Sequence, residues 1–254
     1  MQSGKSYTIC SLLTPPGQEC SKGTLVERCD MSSLPSFFEY RKMLLKLYAE
    51  NPNPHHVNQV VECLKDGGII IYPTDTIYGI GCDIFKPKSV ERVSQILGNG
   101  KKKAMLSFIC YDLSHLSDYC KPIGNHIFKA MKKTLPGPFT FILEANNNVP
   151  KLLQSNRKTV GIRIPDNNII REIVKELDHP ILSGSVKDDD DVIEYTTDPE
   201  LIYERYGNLV DIVIDGGYGD NIPSTVVDCT ADNIEIIREG KGDSSLLGSV
   251  FKVC

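Results

Sequence analysis

The chain has 254 residues, of which 41% are hydrophobic and 24% are charged, and its formal net charge is −5. This composition is typical of a folded chain with one large domain or two small ones, and it excludes a collagen-like, coiled-coil or wholly disordered protein. No apolar run approaches the roughly 20 residues that cross a bilayer, and the negative charge argues against a uniformly basic nucleic-acid coat.

The first 42 residues differ from the rest of the sequence. They mix isolated cysteines with serine, proline and glycine, and their hydrophobic periodicity is weak. We interpret residues 1–42 as a poorly structured N-terminal extension, which an upstream start codon could have added to the native protein. Met43 opens the first orderly segment.

Helices and strands alternate along the remainder. Val57, Val60 and Leu64 share one face of a predicted helix, which Gly67–Gly68 ends. Strands are predicted at 69–74, 104–110, 139–145, 158–164, 180–185, 210–217, 224–230 and 233–239, the last two as a terminal pair, and further helices at 87–100, 112–119, 123–135, 167–177 and 199–207. This alternation predicts an α/β sheet covered by helices. We expect one domain over residues 53–242 and a C-terminal tail over 243–254.

The nine cysteines do not indicate a metal site, because no two of them have C-x-x-C spacing. Cys63, Cys82, Cys110 and Cys229 lie in apolar stretches and are predicted to be small core residues. A reducing, cytoplasmic compartment is therefore expected. The N-terminus has no apolar core of the length that a signal peptide needs.

Polar residues follow the first predicted strand. Thr74, Asp75 and Thr76 come after the apolar run and enter a turn that contains Gly79. Ligands of open α/β sheets bind outside the carboxyl ends of strands, so these groups could hold a small amino- or hydroxy-bearing ligand. A turn that caps the next element through its own hydroxyls would use the same residues. The sequence leaves both interpretations open.

An arginine lies inside an otherwise apolar strand. Arg163 in "VGIRIP" would be costly to bury unless it meets an anion. A carboxylate or phosphate ligand would meet this need, and so would an internal aspartate or glutamate. The Ser183-Gly184-Ser185 and Ser224-Thr225 segments end and start other strands, and such hydroxyls could donate to phosphate oxygens.

The charges are unevenly distributed. Residues 98–165 hold 11 Lys and Arg against 3 Asp and Glu, and residues 166–198 hold 3 against 10. The run Lys101–Lys103 suits polyphosphate or nucleic acid, and Asp188–Asp191 could hold Mg²⁺; solvated surface loops would look the same. No arrangement of the five histidines predicts a covalent nucleophile.

Several segments, in this order, resemble the YrdC family, whose members include the threonylcarbamoyl-AMP synthases. The matching segments are "GGIIIYPTDTIYGIGCD", "LPGPFTFIL", "TVGIRIP", "PILSGS", "STVVD" and "IIREGKG", within residues 53–242. "FICYDLSHLSDY" and "KTVGIRIPDNNI" are most similar to the YciO-type branch. The resemblance implies a twisted mixed sheet flanked by helices, with a large concave basic cavity.

The resemblance also implies an activity. Threonine, bicarbonate and ATP, with Mg²⁺ carried by ATP, would give threonylcarbamoyl-adenylate and pyrophosphate. A partner transferase would then move the threonylcarbamoyl group to an adenosine of tRNA. Family members are also described as binding double-stranded RNA on the concave face.

Site residues follow from the resemblance alone. The residues implied to contact threonine or its carbamate are Thr74, Thr76, Arg163, Ser183 and Ser224, and those implied to contact the nucleotide are Lys101, Lys103, Ser185 and Arg238. No catalytic nucleophile and no metal ligand of the protein is expected.

Two departures from the family pattern keep other functions open. Synthases carry a K-x-R pair where this chain has Gly98-Asn99-Gly100, and they end the serine strand with S-x-N where this chain has Ser185-Val186-Lys187. Lysine cannot reproduce the bidentate grip of arginine. The alternatives are an RNA-binding, translation-associated protein with weak or no synthase activity, and a related adenylate-forming enzyme with another amine substrate.

Overall fold

The structure is a computed structural model, and it describes residues 43–98, 106–149, 158–186, 197–231, 234–247 and 251–253. The predicted extension 1–42, Lys101–Lys103 and Asp188–Asp191 lie outside these residues. None of the helices in the described ranges is long and apolar enough to span a membrane.

Eleven strands of the described residues form one mixed, twisted sheet. They are β1 (Met43–Lys46), β2 (Ile69–Tyr72), β3 (Gly79–Asp83), β4 (Ser107–Ile109), β5 (Phe139–Glu144), β6 (Thr159–Arg163), β7 (Ile181–Ser185), β8 (Ile212–Asp215), β9 (Thr225–Asp228), β10 (Ile234–Arg238) and β11 (Phe251–Val253). Their order across the sheet is β1-β8-β2-β3-β7-β4-β6-β5-β9-β10-β11. Since consecutive strands are often not neighbours, residues far apart in sequence meet at its centre.

Helices cover both faces of the sheet. They are α1 (Pro54–Lys65), α2 (Pro87–Leu97), α3 (Leu116–Tyr119), α4 (Asn125–Thr134), α5 (Asn168–Leu177) and α6 (Pro199–Tyr206). The predicted first helix is confirmed: the Asn53 side chain accepts the backbone N–H of His55, and Val57, Val60 and Leu64 are buried. Helices α1 and α5 pack on one face, and buried residues of α2, α3, α4 and α6 pack on the other.

One row of side chains across the central strands is entirely apolar. Register pairs join Leu182 to Phe108, Phe108 to Ile162, Ile162 to Phe141 and Phe141 to Val227. All five side chains are at most 1% exposed and belong to one hydrophobic cluster. We call this row the core face.

The opposite face of the same strands carries small residues. Register pairs join Gly81 to Ser183, Ser183 to Ser107 and Ser107 to Gly161. Side chains alternate between faces along a strand, so this row lies opposite the core face, and we call it the site face. Helices α1 and α5 cover the neighbouring part of this face, where Ile109 and Ile181 are buried.

Three expectations about the elements need correction. The turn expected around Gly79 is strand β3, paired antiparallel with β2. The tail expected over 243–254 is wrong for its described residues: Leu247 is buried in a short 3₁₀ helix, and β11 extends the sheet beside β10. Residues 53–242 are also too narrow a domain, since β1 pairs with β8 inside the same sheet.

The predicted core cysteines are buried and free of disulfides. Burial raises the pKa of Cys63, Cys82 and Cys229 to about 12. These thiols therefore stay neutral near pH 7 and behave as small apolar side chains.

Candidate active site

The connection between β2 and β3 is held by its own threonines. Thr74 Oγ1 accepts the backbone N–H of Thr76 at 3.0 Å and donates to the carbonyl of Ile77 at 2.8 Å. The self-capping turn that the sequence allowed is therefore present. It leaves the Thr76 hydroxyl and the Asp75 carboxylate to make contacts across the sheet.

Arg163, the last residue of β6, reaches this turn. Its Nη2 donates to Thr76 Oγ1 and to Asp75 Oδ1, each at 2.6 Å, and to Thr74 Oγ1 at 3.1 Å. The Arg163 and Asp75 side chains are 8% and 10% exposed. The internal acid considered from the sequence is thus Asp75, and it lies in the cluster that the other polar residues form.

Two atoms of this buried pair have no hydrogen-bond partner: Arg163 Nε, a donor, and Asp75 Oδ2, an acceptor. Unpartnered polar atoms are costly in a folded interior. One unpartnered donor and one unpartnered acceptor in the same ion pair suit a ligand that carries both a carboxylate and a hydrogen-bond donor, as amino acids do.

The aromatic ring of Tyr72 crosses two glycines of β3. A Cβ on Gly79 would lie 2.8 Å from Tyr72 Cζ, and a Cβ on Gly81 would lie 3.2 Å from Tyr72 Cε1. The Tyr72 hydroxyl donates to Ser183 Oγ, and burial raises the pKa of Tyr72 above its ordinary value. The phenol therefore remains a neutral donor that fixes Ser183.

The middle of the site face lacks bulky side chains. A Cβ on Gly161 would lie 3.1 Å from Ser107 Cβ and 3.4 Å from Thr140 Cγ2. Ser185 is half-buried. It lies two residues after Ser183 on β7, where it pairs with Gly79. A ligand lying here would approach the backbone and the serine hydroxyls closely.

A second arginine marks the other side of the site face. Arg238 Nη2 and Nε donate to the carbonyl of Ser224 at 2.8 and 3.2 Å, and Ser224 Oγ lies 2.9 Å from Thr140 Oγ1. Burial and the nearby Arg163 hold the pKa of Arg238 below its ordinary value. The positive charges of Arg163 and Arg238 repel each other, and an anion bound between them would stabilise both.

Lys241 links the C-terminal part of the domain to the turn of Thr74–Thr76, and we call its contacts with Asp75 and Asp220 the tie. Its Nζ donates to the Asp75 carbonyl at 2.7 Å and forms an ion pair with Asp220 Oδ2 at 2.8 Å. The Asp220 backbone N–H donates to the Thr76 carbonyl at 3.1 Å. The hydrogen bond from Lys241 lowers the pKa of Asp220, so the carboxylate stays charged and the tie persists at neutral pH.

A cavity of about 490 Å³ opens beside this tie. Its lining consists of Thr74, Asp75, Thr197, Tyr218, Gly219, Asp220, Asn221 and Lys241. Two aspartates and one lysine belong to this lining, so its described charge is mixed. The large basic cavity that the resemblance implies stays a prediction. No three His, Cys, Asp or Glu side chains of the described residues are grouped to hold a metal ion.

The sequence-predicted residues are distributed as follows. Thr74, Thr76 and Arg163 are in direct contact. Ser183 and Ser185 lie on β7, and Ser224 and Arg238 contact each other. Lys101 and Lys103 lie outside the described residues. The ligand roles of all these residues stay predictions.

Sequence reasoning did not assign site roles to Tyr72, Lys241 and Asp220. Tyr72 was indistinguishable from a core residue because it ends an apolar run. Lys241 and Asp220 are 21 residues apart in sequence, and their contact depends on the whole sheet order. Only the "EGKG" match of the family pattern pointed toward Lys241.

A family model named Sua5–YciO–YrdC, with the description "Telomere recombination", matches residues 62–240. YciO of Escherichia coli (strain K12) is 40% identical over 201 residues, which are 78% of this chain and 95% of that protein. A threonylcarbamoyl-AMP synthase of Coxiella burnetii (strain RSA 493) is 26% identical over 163 residues, 64% of this chain and 86% of that protein.

Two solved structures share the fold. The crystal structure of E. coli YciO has a TM-score of 0.74 and 38% identity, and the match covers 81% of this chain and 99% of that chain. P. abyssi Sua5, crystallised in complex with L-threonine, has a TM-score of 0.72 and 20% identity, covering 84% of this chain and 62% of that chain. At the lower identity the likeness concerns the fold alone.

Proposed function

Since the chain belongs to the Sua5–YciO–YrdC family, we propose that it is a nucleotidyltransferase that makes threonylcarbamoyl-adenylate from threonine, bicarbonate and ATP. ATP would arrive with Mg²⁺ bound to its phosphates. A separate transferase would carry the threonylcarbamoyl group onward to an adenosine of tRNA. The name of the Coxiella burnetii relative supports the reaction, and the L-threonine complex of P. abyssi Sua5 supports the amino acid.

The reaction places two anions against each other. A carbamate oxygen of carboxylated threonine attacks the α-phosphorus of ATP, the bond from that phosphorus to the bridging oxygen breaks, and pyrophosphate leaves. The protein supplies no nucleophile in this step. It must align the two substrates and offset the charge that develops between them.

The observation that carries the proposal is the buried cluster of Arg163, Asp75 and the two threonines. Arg163 Nε and Asp75 Oδ2 are the unpartnered donor and acceptor. Threonine carbamate offers a carboxylate for the donor and a hydroxyl or carbamate N–H for the acceptor. Both atoms are buried in this structure, so the proposal requires the two side chains to shift when the amino acid binds and takes up these hydrogen bonds.

The site face supplies the second half of the proposed site. Ser183, Ser185 and Ser107 carry hydroxyls, and Gly161 adds no side chain between Ser107 and Thr140. Hydroxyl and backbone groups of this kind donate to phosphate oxygens. Arg238 and Arg163 would then stand on either side of the developing negative charge.

A second candidate function is RNA binding with weak or no catalysis. It is favoured by the absence of the K-x-R pair at Gly98-Asn99-Gly100 and by the run Lys101–Lys103. Losing one phosphate clamp costs about 2–4 kcal/mol at the transition state. A protein that kept the amino-acid cluster and lost the clamp could bind phosphates of RNA through the lysines.

The test is incubation of the full chain with labelled threonine, bicarbonate, ATP and Mg²⁺. The proposal expects labelled threonylcarbamoyl-adenylate and pyrophosphate, each dependent on both threonine and bicarbonate. Pyrophosphate release that ignores threonine would point to another amine. No product from folded protein, together with salt-sensitive RNA binding at micromolar concentration, would replace the proposal with the RNA-binding function.

A further inference from the structure

Lys241 holds a backbone carbonyl far away in the sequence. Its Nζ donates to the Asp75 carbonyl at 2.7 Å, across 166 positions, and forms an ion pair with Asp220 at 2.8 Å. Lys65 illustrates the ordinary alternative, since its ion pair joins it to Glu62 three residues earlier on α1. A lysine bonded to a distant carbonyl fixes the course of the backbone there, in addition to pairing its own charge.

The backbone that carries Lys241 is itself anchored. The Gly240 N–H donates to Thr225 Oγ1 at 3.0 Å, and the same hydroxyl donates to the Gly242 carbonyl at 2.7 Å. The Lys241 N–H donates to the Pro223 carbonyl at 2.8 Å. Thr225 is fully buried, so the lysine is attached to the interior of the fold and not to a free surface loop.

The two neighbours of Lys241 pack too closely for side chains. A Cβ on Gly240 would collide with the Pro223 carbonyl oxygen, and a Cβ on Gly242 would lie 2.7 Å from Phe139 Cζ. Glycine permits this close approach of the backbone. The segment therefore fixes where the Lys241 side chain starts, and the side chain spans the distance to Asp75.

Asp220 holds the charged end of the lysine. Its Oδ1 accepts the backbone N–H of Asn221 at 2.7 Å, and its Oδ2 pairs with Lys241. The Asp220 N–H donates to the Thr76 carbonyl at 3.1 Å. Lys241 and Asp220 together therefore hold two successive carbonyls of the turn, those of Asp75 and Thr76.

The side chains of the same turn meet Arg163. Its Nη2 donates to side-chain oxygens of Thr74, Asp75 and Thr76, while Lys241 holds the Asp75 carbonyl. The Asp75 residue is thus held through its backbone and through its carboxylate by two different cations. A backbone fixed in this way keeps the turn in place while the side chains of Asp75 and Arg163 adjust to a ligand.

We propose that Lys241 is a positioning residue for the amino-acid substrate: it holds the Asp75 backbone so that Asp75 and Arg163 meet that substrate in the productive geometry. This inference rests on the proposed function, because it concerns binding of the same amino acid. Lys241 acts through Asp75 and contacts neither reacting group. A displacement of about 1 Å at a substrate-positioning group can cost about a hundredfold in rate.

Steady-state kinetics of Lys241→Met tests the role, since methionine keeps an unbranched stem and removes the ammonium. We expect KM for threonine to rise about tenfold and KM for ATP to change less than about twofold. A smaller folded fraction would instead lower the apparent kcat and leave both KM values unchanged. The control is Lys65→Met, whose lysine is also ion-paired and is 50% exposed against 42% for Lys241; it should leave both KM values unchanged.

Two further variants locate the effect at the Asp75 carbonyl. Lys241→Arg retains N–H donors at the end of a long side chain and should recover most of the threonine affinity. Asp220→Asn removes the charge partner and keeps the lysine, so it should raise KM for threonine less than Lys241→Met does. An equal rise in Asp220→Asn and Lys241→Met would assign the effect to the ion pair and overturn the role through Asp75.

Hydrogen exchange reports on the turn without any need for activity. In Lys241→Met, the amides of Asp75, Thr76 and Ile77 should exchange at least about fivefold faster than in wild type, because the backbone has lost a restraint. The same amides in Lys65→Met should exchange as in wild type. Unchanged exchange in Lys241→Met would show that the lysine does not hold the turn.

The kinetic outcomes separate this inference from the proposed function. An active Lys241→Met enzyme with an unchanged KM for threonine would overturn the positioning role, and so would an equal rise in the KM values for threonine and ATP. A wild type that makes no adenylate from threonine would overturn the proposed function. The exchange rates would then decide by themselves whether Lys241 holds the turn.

Discussion

The central strands place large apolar side chains on one face of the sheet and small or polar side chains on the other. On the core face, β4, β5, β6 and β7 carry Phe108, Phe141, Ile162 and Leu182, all buried. On the site face, three of these strands carry Ser107, Gly161 and Ser183. Because side chains alternate along a strand, each strand combines one large apolar residue with one small or polar neighbour.

The two faces contribute separately to stability and to binding. Large buried side chains on one face supply the apolar area that stabilises the sheet. Small residues on the other face leave room for a ligand and contribute little packing. Substitutions on the two faces should therefore have separable effects, and the following experiments test that separation.

The largest effect is expected on the core face. Phe141→Ala should lower the free energy of unfolding by about 3–5 kcal/mol, because it leaves a cavity beside Ile162 and Val227. Chemical denaturation measures this change. A loss below about 1 kcal/mol would mean that the core face does not dominate stability.

Arg163→Gln should abolish most activity. We expect the rate of adenylate formation to fall at least about a hundredfold, since a positive charge at the reacting anions is removed. Arg163→Lys should also fail, because lysine has no counterpart of the Arg163 Nε donor that the proposed ligand would use. Product formation is measured at saturating threonine and ATP.

Arg205→Gln, on the surface helix α6, is the matched control for that substitution and should retain wild-type activity. Removing Arg163 also leaves the Asp75 carboxylate buried and unpaired, which destabilises the fold. The double variant Arg163→Gln with Asp75→Asn should recover part of the stability and none of the activity. Full activity in the single variant would contradict the site assignment.

Ser183→Ala tests the hydrogen bond from the Tyr72 hydroxyl to Ser183 on β7. The Tyr72 hydroxyl is buried and would lose its acceptor, so we expect the free energy of unfolding to fall by about 1–3 kcal/mol. Activity should fall as well if the hydroxyl binds substrate. Tyr72→Phe combined with Ser183→Ala should be more stable than Ser183→Ala alone, and equal stability would show that this hydrogen bond is unimportant.

The smallest effect concerns the tie between Lys241 and Asp220. The pKa of Asp220 is lowered in the folded protein, so the pair stabilises the fold above the ordinary carboxyl pKa and loses this contribution as pH falls through the lowered value. Both side chains are partly exposed, which limits the effect to about 0.5–1 kcal/mol. Asp220→Asn should differ from wild type at pH 7 and match it near pH 3 in urea unfolding.

Most of the central elements were predictable from sequence because their signals are local. Val57, Val60 and Leu64 mark α1 by periodicity, and Ile69–Tyr72 marks β2 by its apolar run. Strand β3 was not predictable in this way. Its Gly79 and Gly81 are poor strand formers, and they are tolerated because the ring of Tyr72 occupies the space above them.

The ends of the domain were mispredicted for a related reason. Strands β1 and β11 are short, and each is stabilised by a partner elsewhere in the chain, β8 and β10. Leu247 gives no periodic signal, although it is buried. Local patterns cannot show such pairings, because the pairing is decided by strands far away in sequence.

The site was predictable only in part. The cost of burying Arg163 indicated that an anion must lie nearby, and Asp75 meets that need. The sequence could not tell that Lys241 would reach the Asp75 carbonyl, because this contact joins residues 166 positions apart. The family resemblance therefore indicated the candidate site residues, and the order of the strands in the sheet explains how these residues come together.

The central claim is that the site face, from Arg163 to Ser183, is one binding surface for threonine and ATP. A crystal structure with L-threonine and a non-hydrolysable ATP analogue tests it most directly. We expect threonine against Arg163 and Thr76, with the phosphates lying over Gly161. Both ligands bound on another surface, with nothing over Gly161, would contradict the claim.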